Sequence, residues 1–400
     1  MTMHAYGNGT TTATSGANTI IHFYDRAGIK AANAVNIYQQ FASRKDMPTN
    51  MGKTFKISKF LKMYDREQYD TNGAITADFA KYGYLTARSF DAVQAALSDA
   101  ALAEGSGATN QRVLKKITVE TSLNRYGEMI EYTDEVDLFS EDVMQTRYRE
   151  ELGNLANQRW EDLLQLDMLA TPTVMFSGIA TSRATVGGSV QADGSDDHEA
   201  KVSYDLIRGA VRKLVANRAK KNTTLVSGSN KIDTRTVAKS YYAVIGADVK
   251  ADLETLTRGV NYEKEFVFTP VHKYADAGSL AEGEVGSVHE VRFIESESAI
   301  VYRGAGATVP AGYLGNLQYT GVVGSGAKFD VFPILFPTEG AFATVGLKGK
   351  GKIVFHAKGP GEVELNNPYG TKGFFSYNFF YAGIILEAER LLKLEVAASN

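Results

Sequence analysis

The stretch with the strongest claim to chemistry is Gly346-Leu-Lys-Gly-Lys-Gly351-Lys352, which matches the glycine and lysine spacing of a phosphate-binding P-loop. The next residue is Ile353, where magnesium coordination needs Ser or Thr, and Ile353-Val354-Phe355 reads as a strand rather than the start of a helix. The segment is therefore expected to be a glycine-rich hairpin turn. The six histidines are His4, His22, His198, His272, His289 and His356, and no two stand at metal-ligand spacing. Asp193, Asp196, Asp197 and Glu199 form an acidic loop, but Gly194 comes too early for a calcium loop. The sequence contains no G-x-S-x-G elbow and no cysteine, which excludes thiolate metal sites, disulfides and cysteine nucleophiles. No catalytic, cofactor-binding or metal-binding constellation emerges, and no enzyme activity or cofactor is expected.

The elements around these residues are better defined. No Lys, Arg, Asp or Glu precedes Asp25, and a Thr-, Gly- and Ala-rich opening reads as a flexible or extended arm, either a disordered tail or, as its lack of charge favours, one that orders only against neighbours. Arg26 to Phe41 has helical spacing. From Lys53 to Tyr64 the chain alternates, with Phe55, Ile57, Leu61 and Met63 opposite Thr54, Lys56, Ser58 and Lys62. A second long strand is expected over Val113 to Thr133, with Gly127 at a phase switch that suggests a bulge. The two strands would form a projecting ribbon around a polar insertion at 65–112. An isolated ribbon is marginal in water, so it must lie on the rest of this chain or on another copy.

A long helix follows. Ser140 is the expected N-cap, Leu152, Leu155, Ala156, Trp160, Leu163 and Leu164 form its apolar stripe, and Pro172 ends it. A loop spans Gly178 to Glu199, helices are expected at Tyr204 to Asn217 and near Asp248 to Thr257, and short strands fill the region to His356. Alternating aromatics at 375, 377, 379 and 381, then Leu392, Leu394 and Val396, read as buried terminal strands. The fold class is α+β, and 400 residues suit two or three compact regions.

With 43 basic against 46 acidic side chains, the chain has no electrostatic footprint for tight nucleic-acid binding. The N-terminus lacks a charged region followed by an apolar stretch, and the most apolar window, Phe374 to Leu386, is too short to span a bilayer. A soluble protein with no membrane partner is expected.

The order of arm, ribbon, long helix, α+β region and terminal strands resembles the Hong Kong 97-type capsid fold of tailed-bacteriophage major capsid proteins. Three segments are similar to the capsid proteins of N-four-like podoviruses: Gly52-Lys-Thr-Phe-Lys-Ile57, Arg125-Tyr-Gly-Glu-Met-Ile-Glu-Tyr-Thr-Asp134, and Gly373-Phe-Phe-Ser-Tyr-Asn-Phe-Phe-Tyr-Ala-Gly383. The resemblance implies an N-terminal arm with a short helix (1–50) and an extended loop with its insertion (51–136). A peripheral domain with its spine helix (137–199), an axial domain (200–355) and the peripheral terminal strands (356–400) complete it. It also implies a structural subunit that self-assembles as hexamers and pentamers into an icosahedral capsid around double-stranded DNA, located in the virion and assembled in the host cytoplasm. Its partners would be further copies of itself, with scaffold, portal and decoration proteins and non-specific contact with packaged DNA.

On this reading the ribbon gains its burial on an adjacent subunit. Lys53, Lys56, Lys59, Lys62, Arg125 and Glu128 become the expected intersubunit contacts. Some relatives join subunits through a loop Lys and an Asn, for which Lys56 or Lys59 and Asn366 or Asn367 have the right side chains; no sequence feature locates the carboxylate this needs. A bacterial nanocompartment shell of the same fold is the alternative, and a phosphate-ligand-binding enzyme using Gly346 to Lys352 is less favoured.

Overall fold

The computed structural model describes residues 36–63, 68, 70, 72, 74–84, 89–102, 104–105, 113–139, 144–226, 234–257, 267–274, 280–348, 353–361, 363 and 367–400. The arm and residues 26–35 of the expected first helix lie outside them. What is described of that helix, Tyr38–Phe41, is a single 3₁₀ turn whose four side chains are all buried.

Two sheets organise the chain. The first has β16 (Lys372–Ile385) at its centre. Along one edge of β16 runs β4 (Asn124–Thr133), paired antiparallel from Thr133↔Lys372 to Asn124↔Tyr381. Along the other edge lie β14 (Phe342–Leu347) and β15 (Val354–Lys358), and β1 (Ser43–Met47) adds in parallel outside β14. The second sheet runs β5 (Val174–Phe176), β17 (Leu392–Val396), β13 (Phe332–Phe336), β7 (Thr234–Ile245), β10 (Val291–Glu295), β9 (Glu284–Val288) and β8 (Thr269–Pro270), with β6 (Asn222–Val226) also paired to β7. Two small two-stranded pieces remain: β11 (Tyr319–Thr320) with β12 (Lys328–Phe329), and the ribbon of β2 (Thr54–Phe60) with β3 (Lys116–Ser122).

The helices are α1 (Ala77–Tyr82), α2 (Phe90–Ala100), α3 (Asp134–Phe139), α4 (Met144–Leu169), α5 (Asp197–Ala200), α6 (Tyr204–Ala216) and α7 (Ala247–Glu254). The spine helix α4 has 26 residues, about 39 Å at 1.5 Å per residue. Its buried stripe is Leu152, Ala156, Leu164 and Met168, and the residues expected to cap it, 140–143, lie outside the described set. The insertion, expected as one polar segment, carries α1 and α2, and Phe90, Val93 and Leu97 of α2 recur at helical spacing.

Strand β16 is covered on both faces because its side chains alternate. Phe375, Tyr377, Phe379 and Tyr381 are buried toward α4, where the Trp160 ring lies 5.2 Å from both Phe379 and Tyr381. Ala382 and Ile384 face the opposite way with Phe380, in a separate cluster with Met47, Leu123, Ala343 and Val345.

Three sequence expectations are corrected. Gly127 marks no bulge: it sits in unbroken register opposite Asn378, and a Cβ there would come within 2.4 Å of the Tyr377 carbonyl oxygen. It permits a close approach between strands, which no local pattern reveals. The break falls instead at Leu123, so the expected long strand is two, β3 in the ribbon and β4 in the sheet. The segment around Gly346 to Lys352 is not the turn of a hairpin. β14 and β15 both run antiparallel to β16 on one edge, opposite residues 382–385 and 374–378 respectively, so they follow one another in a line. The glycine–lysine stretch falls between the two strands, and residues 349–352 lie outside the described set.

The chain changes sheets twice near its end, from β13 to β14 and from β16 back to β17, which pairs with β13 and β5. The sheets therefore divide the chain differently from the sequence boundary at 355/356.

Candidate assembly surfaces

The ribbon is regular, with Thr54↔Ser122 through Phe60↔Lys116 in antiparallel register and alternating exposure on both strands. Its inner face carries Phe55, Ile57 and Val119, which pack against the β14–β16 cluster of the same chain. The Thr121 hydroxyl donates to the Gly383 carbonyl at 2.9 Å. The Lys59 ammonium donates to the Leu386 carbonyl at 3.1 Å and meets the Glu387 carboxylate at 3.3 Å. The expectation that the ribbon finds its burial on an adjacent subunit is thus corrected for the inner face: its own chain supplies that burial. The reason is β16, whose second apolar face needs a cover as much as the ribbon does. A cleft of about 340 Å3 remains between ribbon and body, lined by Lys59, Lys220, Glu339, Glu387 and Arg390 among others.

The six expected contact residues fall in distinct settings. Lys53 is exposed at the start of the ribbon. Lys56 is on the outer face, 2.8 Å from Glu120 across the strands, with both side chains about 60% exposed. Lys59 faces inward as described. Lys62 lies 5.8 Å from the Tyr84 ring, and partial burial with Arg390 nearby holds its ammonium below the usual value. Arg125 and Glu128 are on β4, not on the ribbon: Arg125 lies 5.7 Å from the Phe380 ring, and Glu128 accepts from Arg159 of α4 at 3.0 Å. Lys56 and Lys59 thus occupy opposite faces of one strand. Asn367 holds a turn, donating to the Lys372 carbonyl at 2.9 Å, and Asn366 lies outside the described residues.

The segment entering from the arm is clasped by the spine helix through a residue the sequence did not mark. Glu161 is 3% exposed, and its carboxylate accepts the Tyr38 N–H at 2.5 Å. Burial pushes its pKa up from 4.5 to about 7 against the opposing pull of the Tyr38, Ile37 and Gln39 amides. Its second oxygen is buried without a partner. Nearby, the Tyr38 hydroxyl donates to the Gln165 amide oxygen at 2.9 Å, and the amide nitrogen donates to the Ser298 carbonyl.

The acidic loop has a structural role. Asp197 is buried and accepts from the Tyr313 hydroxyl and the Asn316 N–H, both at 2.8 Å, while Asp193 accepts from Ser195. Among the described residues no group of three His, Asp or Glu side chains could hold a metal ion, and no helix is long and apolar enough to cross a membrane. Large apolar side chains instead stand open over much of the surface, including Phe90, Leu97, Leu102, Leu138, Phe139 and Tyr369. Exposure on this scale marks surfaces meant to be covered.

No family model matches the chain. The major capsid protein of Pseudomonas phage KPP21 is 27% identical over 395 residues, covering 96% of this chain and 94% of that protein. Among solved structures, the capsid of Ralstonia phage GP4 matches with a TM-score of 0.56 at 12% identity, over 98% of this chain and 99% of the other. The capsid of cyanophage P-SCSP1u matches with a TM-score of 0.53 at 12% identity, over 97% and 96%. The chain is thus similar nearly end to end to a phage major capsid protein, and it shares the α+β fold of phage capsid structures over the same span.

Proposed function

We propose that the chain is the structural shell subunit of a tailed phage, assembling as hexamers and pentamers into an icosahedral capsid around double-stranded DNA. The observation that carries this is the end-to-end match to a phage major capsid protein. The Hong Kong 97-type designation rests on the order of parts: a ribbon laid over a β sheet, a spine helix of about 39 Å beneath that sheet, and a second α+β sheet region. The role is structural rather than enzymatic. The P-loop-like stretch leads into strand β15, so it offers no helix N-terminus to a phosphate.

The ribbon's outer face, with Lys53, Lys56 and Phe60, is left for neighbours, and single exposed ion pairs there would contribute only about 0–1 kcal/mol each. Shape and summed apolar contacts hold such a shell, closing by heterologous interfaces. Scaffold, portal and decoration proteins are the further partners this reading calls for, with assembly in the host cytoplasm and non-specific contact with DNA. A bacterial nanocompartment is not favoured, since the related sequence is a phage protein. Sedimentation of the chain co-expressed with the adjacent phage morphogenesis genes tests the reading. Particles far larger than the 43.5 kDa monomer are expected, and monomers or small oligomers alone would defeat it.

A further inference from the structure

The 65–112 insertion is anchored at its base and open at its tip. At the base, Gln68 and Tyr84 are buried, the Tyr84 hydroxyl donates to Gln68 at 2.8 Å, Gln68 reaches Glu389, and the Tyr84 N–H donates to the Ala216 carbonyl at 3.2 Å. Beyond it stands α2, N-capped by Ser89, with no buried residue. Phe90, Val93 and Leu97 recur at helical spacing, and Phe90, Leu97 and the following Leu102 are 80%, 68% and 84% exposed. An 11-residue helix is too short to be stable in water without packing its apolar face. Its charges are of one sign: from Ser89 to Gln111 the sequence has Asp91, Asp99 and Glu104 and no Lys or Arg.

The end of the ribbon carries the complement. Phe60 pairs with Lys116, and Leu61 donates to the Lys115 carbonyl. Around this end Phe60, Met63, Val113 and Leu114 are exposed apolar side chains, with exposed Lys115 and Lys116 beside them. Apolar surface bordered by lysines thus complements, in sign of charge, apolar surface flanked by Asp91.

We propose that α2 of one copy docks on the ribbon end of a second copy, Phe90 and Leu97 covering Phe60 and Leu114 while Asp91, which flanks that stripe, meets Lys115 or Lys116. This rests on the shell-subunit reading and names one of its contacts. Because the chain has no cysteine, any thiol crosslink between two copies of it reports engineered positions.

Leu97→Cys and Leu114→Cys are made in separately tagged full-length chains, co-assembled with the adjacent phage morphogenesis proteins, and treated with a bismaleimide. A crosslinked species carrying both tags is expected, with far less from either variant alone. Adding Asp91→Lys lowers its yield by about two- to fivefold, as expected for a partly exposed ion pair. Assembled particles without the two-tag species would overturn the proposal and leave the shell reading intact. A crosslink only within one chain, in the double variant, or only to a different phage protein would also overturn it. Failure of the wild-type chain to assemble would remove the shell reading and this contact with it.

Discussion

Glu161 makes the spine helix a pH-sensitive support for the segment that leaves the arm. Its carboxyl is pushed up to about 7 from an ordinary 4.5, with burial as the main cause. Asp162, the Tyr38 hydroxyl and Tyr381 are the titratable groups around it. Because the folded chain holds this proton more tightly than the unfolded chain, the contribution to stability is full below pH 4.5. It is lost as pH rises through about 7. The difference of 2.5 between those two values, at 1.36 kcal/mol for each, gives about 3 kcal/mol lost between pH 4.5 and 8.

The substitution Glu161→Gln keeps an oxygen to accept the Tyr38 N–H and removes the titration. Urea unfolding of the unassembled subunit at pH 5 and pH 8 would show the wild type losing stability relative to the variant by about 2.5 kcal/mol. Comparing the two proteins cancels the titration of every other group. A wild-type–variant difference that stays constant across that range would refute the reasoning.

Other substitutions test the packing. Gly127→Ala should destabilise by about 1–3 kcal/mol, measured by urea unfolding, since its Cβ would strike the Tyr377 carbonyl at 2.4 Å. Lys59→Ala should release the ribbon, seen as faster hydrogen exchange over Thr54–Phe60, whereas Lys56→Ala removes an exposed pair worth at most about 0.5–1 kcal/mol and should leave exchange there nearly unchanged. Lys352→Ala should leave assembly yield unchanged; a nucleotide that binds the wild type and not the variant would revive the phosphate reading.

Much of this architecture could be read directly from local pattern. The alternation of Phe55, Ile57 and Val119 predicts a one-faced ribbon, the stripe from Leu152 to Leu164 predicts a long helix, and the odd-numbered aromatics of β16 predict a buried face. What escaped depends on partners distant in sequence. Gly127 looks like a phase break until β16 is seen lying against it, and β14 and β15 look like a hairpin until both are seen along one edge of β16. The ribbon's own-chain cover is invisible because Phe380, Ala382 and Ile384 are some 260 residues away, the separation of the Thr121–Gly383 hydrogen bond. Glu161 reads as an ordinary helix acid, and only the return of Tyr38 onto the spine buries it. Of the six expected contact lysines, arginine and glutamate, Lys59 follows Phe55 and Ile57 at period two and so faces inward with them, and its long stem lets the ammonium reach Glu387.

Electron microscopy of the purified full-length chain, alone and then with the adjacent morphogenesis proteins, tests the central claim most directly. The account predicts closed icosahedral shells, or rings with five- and sixfold symmetry, in at least the second preparation. Uniform small particles in both would contradict it.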